Sequence, residues 1–152
     1  PEENKNYTPY VIETSIGLDR MFLAVLSNAL EDEKLEDGSE RTVLKIHPAL
    51  APVKCAVLPL LKKDGLPDKA REIFSDLKLD FNMQYDEKDA IGKRYRRQDA
   101  IGTPFAVTVD HQTLEDNTVT LRDRDTMKQE RIDVSTLRSV LSEKTSLRNL
   151  MN

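Results

Sequence analysis

Apolar positions along the chain follow two rhythms. Met21, Phe22, Val25, Leu26 and Ala29 recur at three- and four-residue steps, which predicts an amphipathic helix over Leu18 to Leu30 after a sharp turn at Gly17. Ala70, Ile73, Phe74, Leu77 and Phe81 form a second stripe behind Pro67 and Asp68, residues that suit a first helical turn. A third helix is expected from Ala90 to Ala100, with Asp89 as its N-cap and Gly102 and Pro104 as its stop. Ser135 opens a last one, with Leu137, Val140 and Leu141 inward. β-Branched and aliphatic runs predict strands at Tyr7–Ile12, Arg41–Ile46, Val53–Leu61, Asn82–Tyr85, Phe105–Val109, Thr118–Leu121 and Arg131–Val134. Val53–Leu61 lacks clean alternation, which predicts burial on both faces, and Pro59 should end it or lie at an edge. Glu115-Asp116-Asn117 reads as a turn. The order after residue 40 gives an α/β class: a mixed, largely five-stranded sheet with helices packed on it.

Charge divides the chain. Residues 1–40 carry ten acids and three bases, and residues 41–152 carry seventeen acids and twenty bases. The overall −4 therefore hides a mildly basic stretch behind an acidic one. Glu31 to Glu40, with Gly38-Ser39, reads as an exposed linker between a segment 1–30 and a domain 41–152. A surplus of three positive charges suits selective contact with one structured RNA better than bulk phosphate binding. Aromatics are 5 % of the 152 residues, so the core must be aliphatic. No apolar run approaches the ~20 residues of a membrane span. The start at Pro1 reads as the cut edge of a longer protein.

Candidate chemistry is concentrated between Asp89 and Arg131. Lys93, Arg94, Arg96 and Arg97 make either a solvated helix face or a phosphate-binding one. Arg122-Asp123-Arg124-Asp125, if extended, sends arginines to one face and aspartates to the other. Arg grips phosphate or a guanine edge and Asp accepts from a cytosine amino group, whereas cross-strand ion pairing is the structural alternative. His47 and His111 lack partners at ligand spacing, so no metal site is expected, and Cys55 reads as a small core residue in a reducing compartment. No phosphate-binding loop motif is present.

Glu13-Thr14-Ser15-Ile16-Gly17-Leu18-Asp19-Arg20 resembles motif 3 of the class II aminoacyl-tRNA synthetases, in the glycyl-tRNA synthetase version. Leu44 to Pro52, Ile91 to Tyr95, Asp99 to Phe105 and Leu121 to Met127 resemble the anticodon-binding domain of the same family, bacterial α2 type. The resemblance implies glycine activation with ATP and Mg²⁺, transfer to glycine tRNA, a homodimer and a cytoplasmic setting for the whole protein. It implies that Arg20 contacts ATP and that Glu13 and Ser15 contact glycine. For the anticodon, whose last two bases are C, the expected contacts are Arg122, Asp123, Arg124, Thr126 and Arg131, with Lys93, Arg94 and Arg97 on the phosphate side. Motifs 1 and 2 are missing, so the chain alone is expected to bind no cofactor and to charge no tRNA. A non-charging accessory module on the same fold is the competing reading, and intact Glu13, Ser15 and Arg20 argue against it.

Overall fold

The computed structural model describes residues 6, 8–35 and 38–151. Its centre is a five-stranded sheet whose strands, named in chain order, are β3 (Cys55–Pro59), β4 (Met83–Tyr85), β5 (Phe105–Val109), β6 (Thr118–Asp123) and β7 (Gln129–Asp133). They lie in the order β4-β3-β5-β6-β7. β3 is parallel to both β4 and β5, and β6 and β7 add on antiparallel. All residues of β3 and β5 are buried, as strands covered on both faces should be. Pro59 closes β3 at its last residue.

Helix α2 (Leu66–Leu77) presents Leu66, Ala70, Ile73 and Leu77 to one face of the sheet. There they meet Cys55, Val57, Phe105, Val107, Val109, Val119 and Leu121, together with Leu137 and Leu141 of α5 (Leu137–Lys144). Gly65, at φ 76°, turns the chain into α2 in the left-handed region open to glycine. Helix α3 (Ile91–Ala100) covers the other face, with Ile91 and Tyr95 on Ala56, Leu58 and Ala106. A short helix, α4 (His111–Asp116), links β5 to β6.

A hairpin rests on α3. Its strands are β1 (Leu30–Lys34) and β2 (Glu40–Leu44), and helix α1 (Leu18–Ala29) runs straight into β1. Gly102 allows the close approach: a side chain there would lie 2.9 Å from Ile46 Cγ2 and 3.0 Å from Leu44 Cδ2. Only the end of α1 is packed, through Leu26 and Ala29 against Leu44, Ile46 and Ala51. Met21, Phe22, Leu23 and Val25 are exposed.

Several expectations change. Thr8 to Ile12 form no strand, and Tyr7 lies outside the described residues. The stretch read as linker is partly strand, because Leu30–Lys34 pairs residue for residue with Leu44–Glu40; Glu36 and Asp37 lie outside the described residues. Asp89 does not cap α3: Ala90 is the N-cap, without a side-chain bond, and Asp89 sits at φ 68°. The turn expected at Glu115–Asn117 is the end of α4, closed by Asn117 in the left-handed region.

Candidate nucleic-acid interface

In open α/β sheets, ligands are commonly received beyond the carboxyl ends of the parallel strands, where successive connections leave on opposite faces. Here β3 leads through α2 to β4, and β4 leads through α3 across to β5. The segments meeting at that end are Leu60–Lys63, Asp86–Asp89 and Asp110–His111. Arg94, from the first turn of α3, ties two of them together. It donates to the carbonyls of Pro59 at 2.5 Å, Leu60 at 3.2 Å and Asp86 at 3.3 Å. Burial pulls its guanidinium below the ordinary arginine range.

The acids at this end are matched from within. Asp86 and Asp89 take Arg97, and Glu87 takes Arg71 and the Tyr85 hydroxyl. Lys62, Lys88 and Lys93 are exposed and make no ion pair among the described residues. Three ammonium groups thus stand uncompensated on the segments that leave these strand ends, an arrangement suited to a phosphate backbone.

Asp110 follows β5 and does two things. Its Oδ1 accepts from Thr113 N at 3.1 Å and Thr113 Oγ1 at 3.2 Å, while Thr113 Oγ1 also accepts from Asp110 N, a capping box that starts α4. It also receives Arg131 in bidentate fashion, Nη1 to Oδ2 at 2.5 Å and Nη2 to Oδ1 at 2.8 Å. Arg131 in turn donates to Thr118 and Thr120. The pair is half-buried, with side chains 27 % and 23 % exposed. The Arg131 bonds hold the Asp110 carboxyl below the usual aspartate range, and the same bonds raise Arg131. Oδ2 accepts one bond from the protein, so a lone pair remains on the ionised carboxylate of a partly exposed side chain. That oxygen can accept from an exocyclic amino group such as the N4 of cytosine.

The anticodon binding domain family matches residues 54–144. The chain belongs to that family. The chain is 56 % identical over 144 residues to a glycine--tRNA ligase of Clostridium tetani, and 57 % identical over 133 residues to one of Borrelia hermsii. Those matches cover 95 % and 88 % of the chain but 31 % and 30 % of the relatives, so the chain spans about a third of their length. Among solved structures, the RNA binding domain of threonyl-tRNA synthetase from Cryptosporidium parvum Iowa II shares the fold, with a TM-score of 0.60 at 23 % identity over 66 % of this chain and 25 % of that one.

The domain does not gather the expected RNA contacts into one place. Arg122 and Arg124 are 6 % and 1 % exposed. Arg122 grips Asp99 with two bonds, at 2.8 and 3.0 Å, and stacks on Tyr95 with its guanidinium 4.7 Å from the ring centroid. Arg124 donates to the carbonyls of Gly102 and Ile46 and to Asp125. The expected alternation does place both arginines inward, and there they serve the fold. Arg94 faces inward too, although it is expected on an outer helix face as a phosphate contact. Asp123 and Thr126 lie at the opposite end of the sheet, in a turn where Asp123 Oδ1 accepts from Thr126 N and Oγ1. They line a cavity of about 260 Å³ with Phe105, Leu121, Lys128, Glu130 and Lys144. Lys93 stays open to solvent, and Arg97 and Arg131 are partly open with internal partners. Asp110 was missed in sequence, although the Asp-x-x-Thr spacing after a strong strand was a usable signal. Glu13, Ser15 and Arg20 are exposed. A carboxylate, a hydroxyl and a guanidinium suit an ammonium and a polyphosphate in kind, but these three stand on an uncovered segment. No cluster of three or more His, Cys, Asp or Glu placed to hold a metal ion occurs among the described residues, and no helix there is long and apolar enough to cross a membrane.

Proposed function

We propose that the chain is the anticodon-recognising part of a glycine--tRNA ligase, and that the anticodon loop seats over the carboxyl ends of β3, β4 and β5. In this reading Lys62, Lys88 and Lys93 meet phosphates, and Asp110, held by Arg131, accepts from the amino group of a cytosine. The observation that carries the proposal is the half-buried Asp110–Arg131 pair, with a free Oδ2 lone pair, at the same end of the sheet as three exposed lysines without ion pairs among the described residues. Family membership supplies the kind of ligand, and the glycine--tRNA ligases at 56–57 % identity point to the tRNA. Of the earlier contact set, Arg131, Lys93 and Arg97 stay with this surface. Arg94 acts from beneath it, and Arg122, Asp123, Arg124 and Thr126 belong to the far end, the two arginines as buried structural groups.

For the whole protein the same reading includes glycine activation with ATP and Mg²⁺, a cytoplasmic homodimer, and contacts from Arg20 to ATP and from Glu13 and Ser15 to glycine. The 1–30, 31–40 and 41–152 division stays part of the proposal, with the hairpin strand at Leu30–Lys34 as the joint between the outer parts. The chain alone is not expected to charge tRNA. The test is a titration with a stem–loop carrying the two-cytosine anticodon and one carrying uracils there, at two salt concentrations. Tighter binding of the cytosine form, at both salts, is the expected result. Equal binding of both forms would overturn the assignment of Asp110.

A further inference from the structure

Three guanidiniums and three carboxylates form a charge-balanced cluster between the hairpin and the sheet. Arg41 of β2 donates to Glu33 of β1 at 2.6 Å and to Asp99 of α3 at 2.9 Å, and also to the carbonyl of Arg124 at 3.1 Å. Asp99 takes Arg122 of β6 on both its oxygens. Arg124 reaches the carbonyls of Ile46 and Gly102 and pairs with Asp125. Arg41, Asp99, Arg122 and Arg124 are all buried. Lys45 N donates to Ala29 O at 2.6 Å, so the residue after β2 also holds the last turn of α1. Apart from Leu26 and Ala29, the apolar side chains of α1 are exposed, so the helix takes its direction almost wholly from the hairpin.

We propose that Arg41 and Asp99 are positioning residues that fix the angle of α1, and with it Arg20 in its first turn, relative to the RNA-binding sheet. A hydrophobic contact alone would let the hairpin slide, because apolar packing has no direction. A guanidinium bonded to three acceptors, on β1, on α3 and in the turn after β6, has one seating. The importance of that angle rests on the proposed contact of Arg20 with ATP, but the joint itself is measurable without RNA or nucleotide.

The experiment uses the full chain with nitroxide labels on Ser27→Cys in α1 and Ser142→Cys in α5, both exposed positions. The natural Cys55 is fully buried, and burial pushes its thiol up to about 12, so it does not compete for label. The paired variant Arg41→Met with Glu33→Gln removes one cation and one anion. It severs the hairpin from Asp99 while leaving Asp99 with Arg122. Pulsed dipolar spectroscopy should give a single narrow distance population in the parent. In the paired variant the distribution should broaden or split, while circular dichroism and binding of the cytosine stem–loop stay as in the parent. Arg41→Lys keeps the charge but cannot reach three acceptors at once, and should broaden the distribution to a lesser degree. A parent distribution that is already broad, or variants as narrow as the parent, would overturn the proposal. Loss of stem–loop binding in the parent would instead count against the functional reading and leave the joint standing.

Discussion

Arg122 and Arg131 lie on neighbouring strands and on the same face of one sheet, diagonal to each other across the β6–β7 ladder. Arg122 is covered by α3, stacked on Tyr95 and closed on Asp99. Arg131 lies beyond the helix, half-open, on an aspartate that keeps spare acceptor capacity. The two guanidiniums are chemically identical and each has a bidentate carboxylate. What separates the structural arginine from the one proposed to help read a base is the reach of one ten-residue helix over the sheet. A charge under that cover adds rigidity, since nothing outside can compete for it. At the edge of the cover, a charge pair is both oriented and reachable, which recognition requires.

The largest expected effect falls on the covered side. Asp99→Ala leaves the guanidiniums of Arg41 and Arg122 buried without their shared carboxylate, and should cost about 3–5 kcal/mol in urea unfolding. A loss below about 1 kcal/mol would mean that water or a rearranged partner already serves them. On the open side, Asp110→Asn should cut discrimination between cytosine and uracil stem–loops by about 1–3 kcal/mol. Its stability cost is expected to be smaller than that of Asp99→Ala. If instead Asp99→Ala abolishes discrimination in molecules that remain folded, the division between the two arginines is wrong.

Acid sharpens the same contrast. The Arg131 bonds depress the Asp110 carboxyl, so the stabilisation from this pair is complete above the unfolded aspartate value of about 3.9. It is lost as pH falls through the lower folded value. The stability difference between the parent and Asp110→Asn, followed by urea unfolding across that window, should therefore shrink as pH falls below about 4. A difference that is flat or grows with acid would contradict the pairing. The smallest effect belongs to Lys93→Ala. It should weaken all stem–loops alike and lower the salt slope by about 1, with no change in base preference.

How much of this was legible in sequence depended on whether an element is held by apolar burial or by charge. β3, β5, α2 and α5 carry their partners in their apolar periods, and all four were readable. β1 reads Leu-Glu-Asp-Glu-Lys and has no such period. It is a strand because Asp32 accepts from Thr42 and because Glu31 and Glu33 meet Lys45 across the hairpin, contacts that exist only after folding. The Lys45 bond is the leading cause that holds Glu33 below the usual glutamate range. Tyr7–Ile12 shows the reverse: its β-branched residues gave a strand pattern, but Thr8 to Ile12 have no ladder to join. The helix pattern predicts an outward Arg94, either solvated or on a phosphate, whereas three backbone carbonyls at the strand ends draw it inward. The family resemblance was readable from ordered motifs. The proposed reading surface was not, because it depends on which side of α3 each guanidinium falls.

The most direct test maps the footprint of a two-cytosine anticodon stem–loop on the isotopically labelled chain by amide chemical-shift perturbation. Perturbations should gather at residues 60–63, 86–93, 110–118 and 129–131 and leave the turn at 123–128 and the Lys144 region unmoved. A footprint centred on Phe105, Asp123, Thr126, Lys128 and Lys144 would place recognition at the opposite end of the sheet and contradict the account.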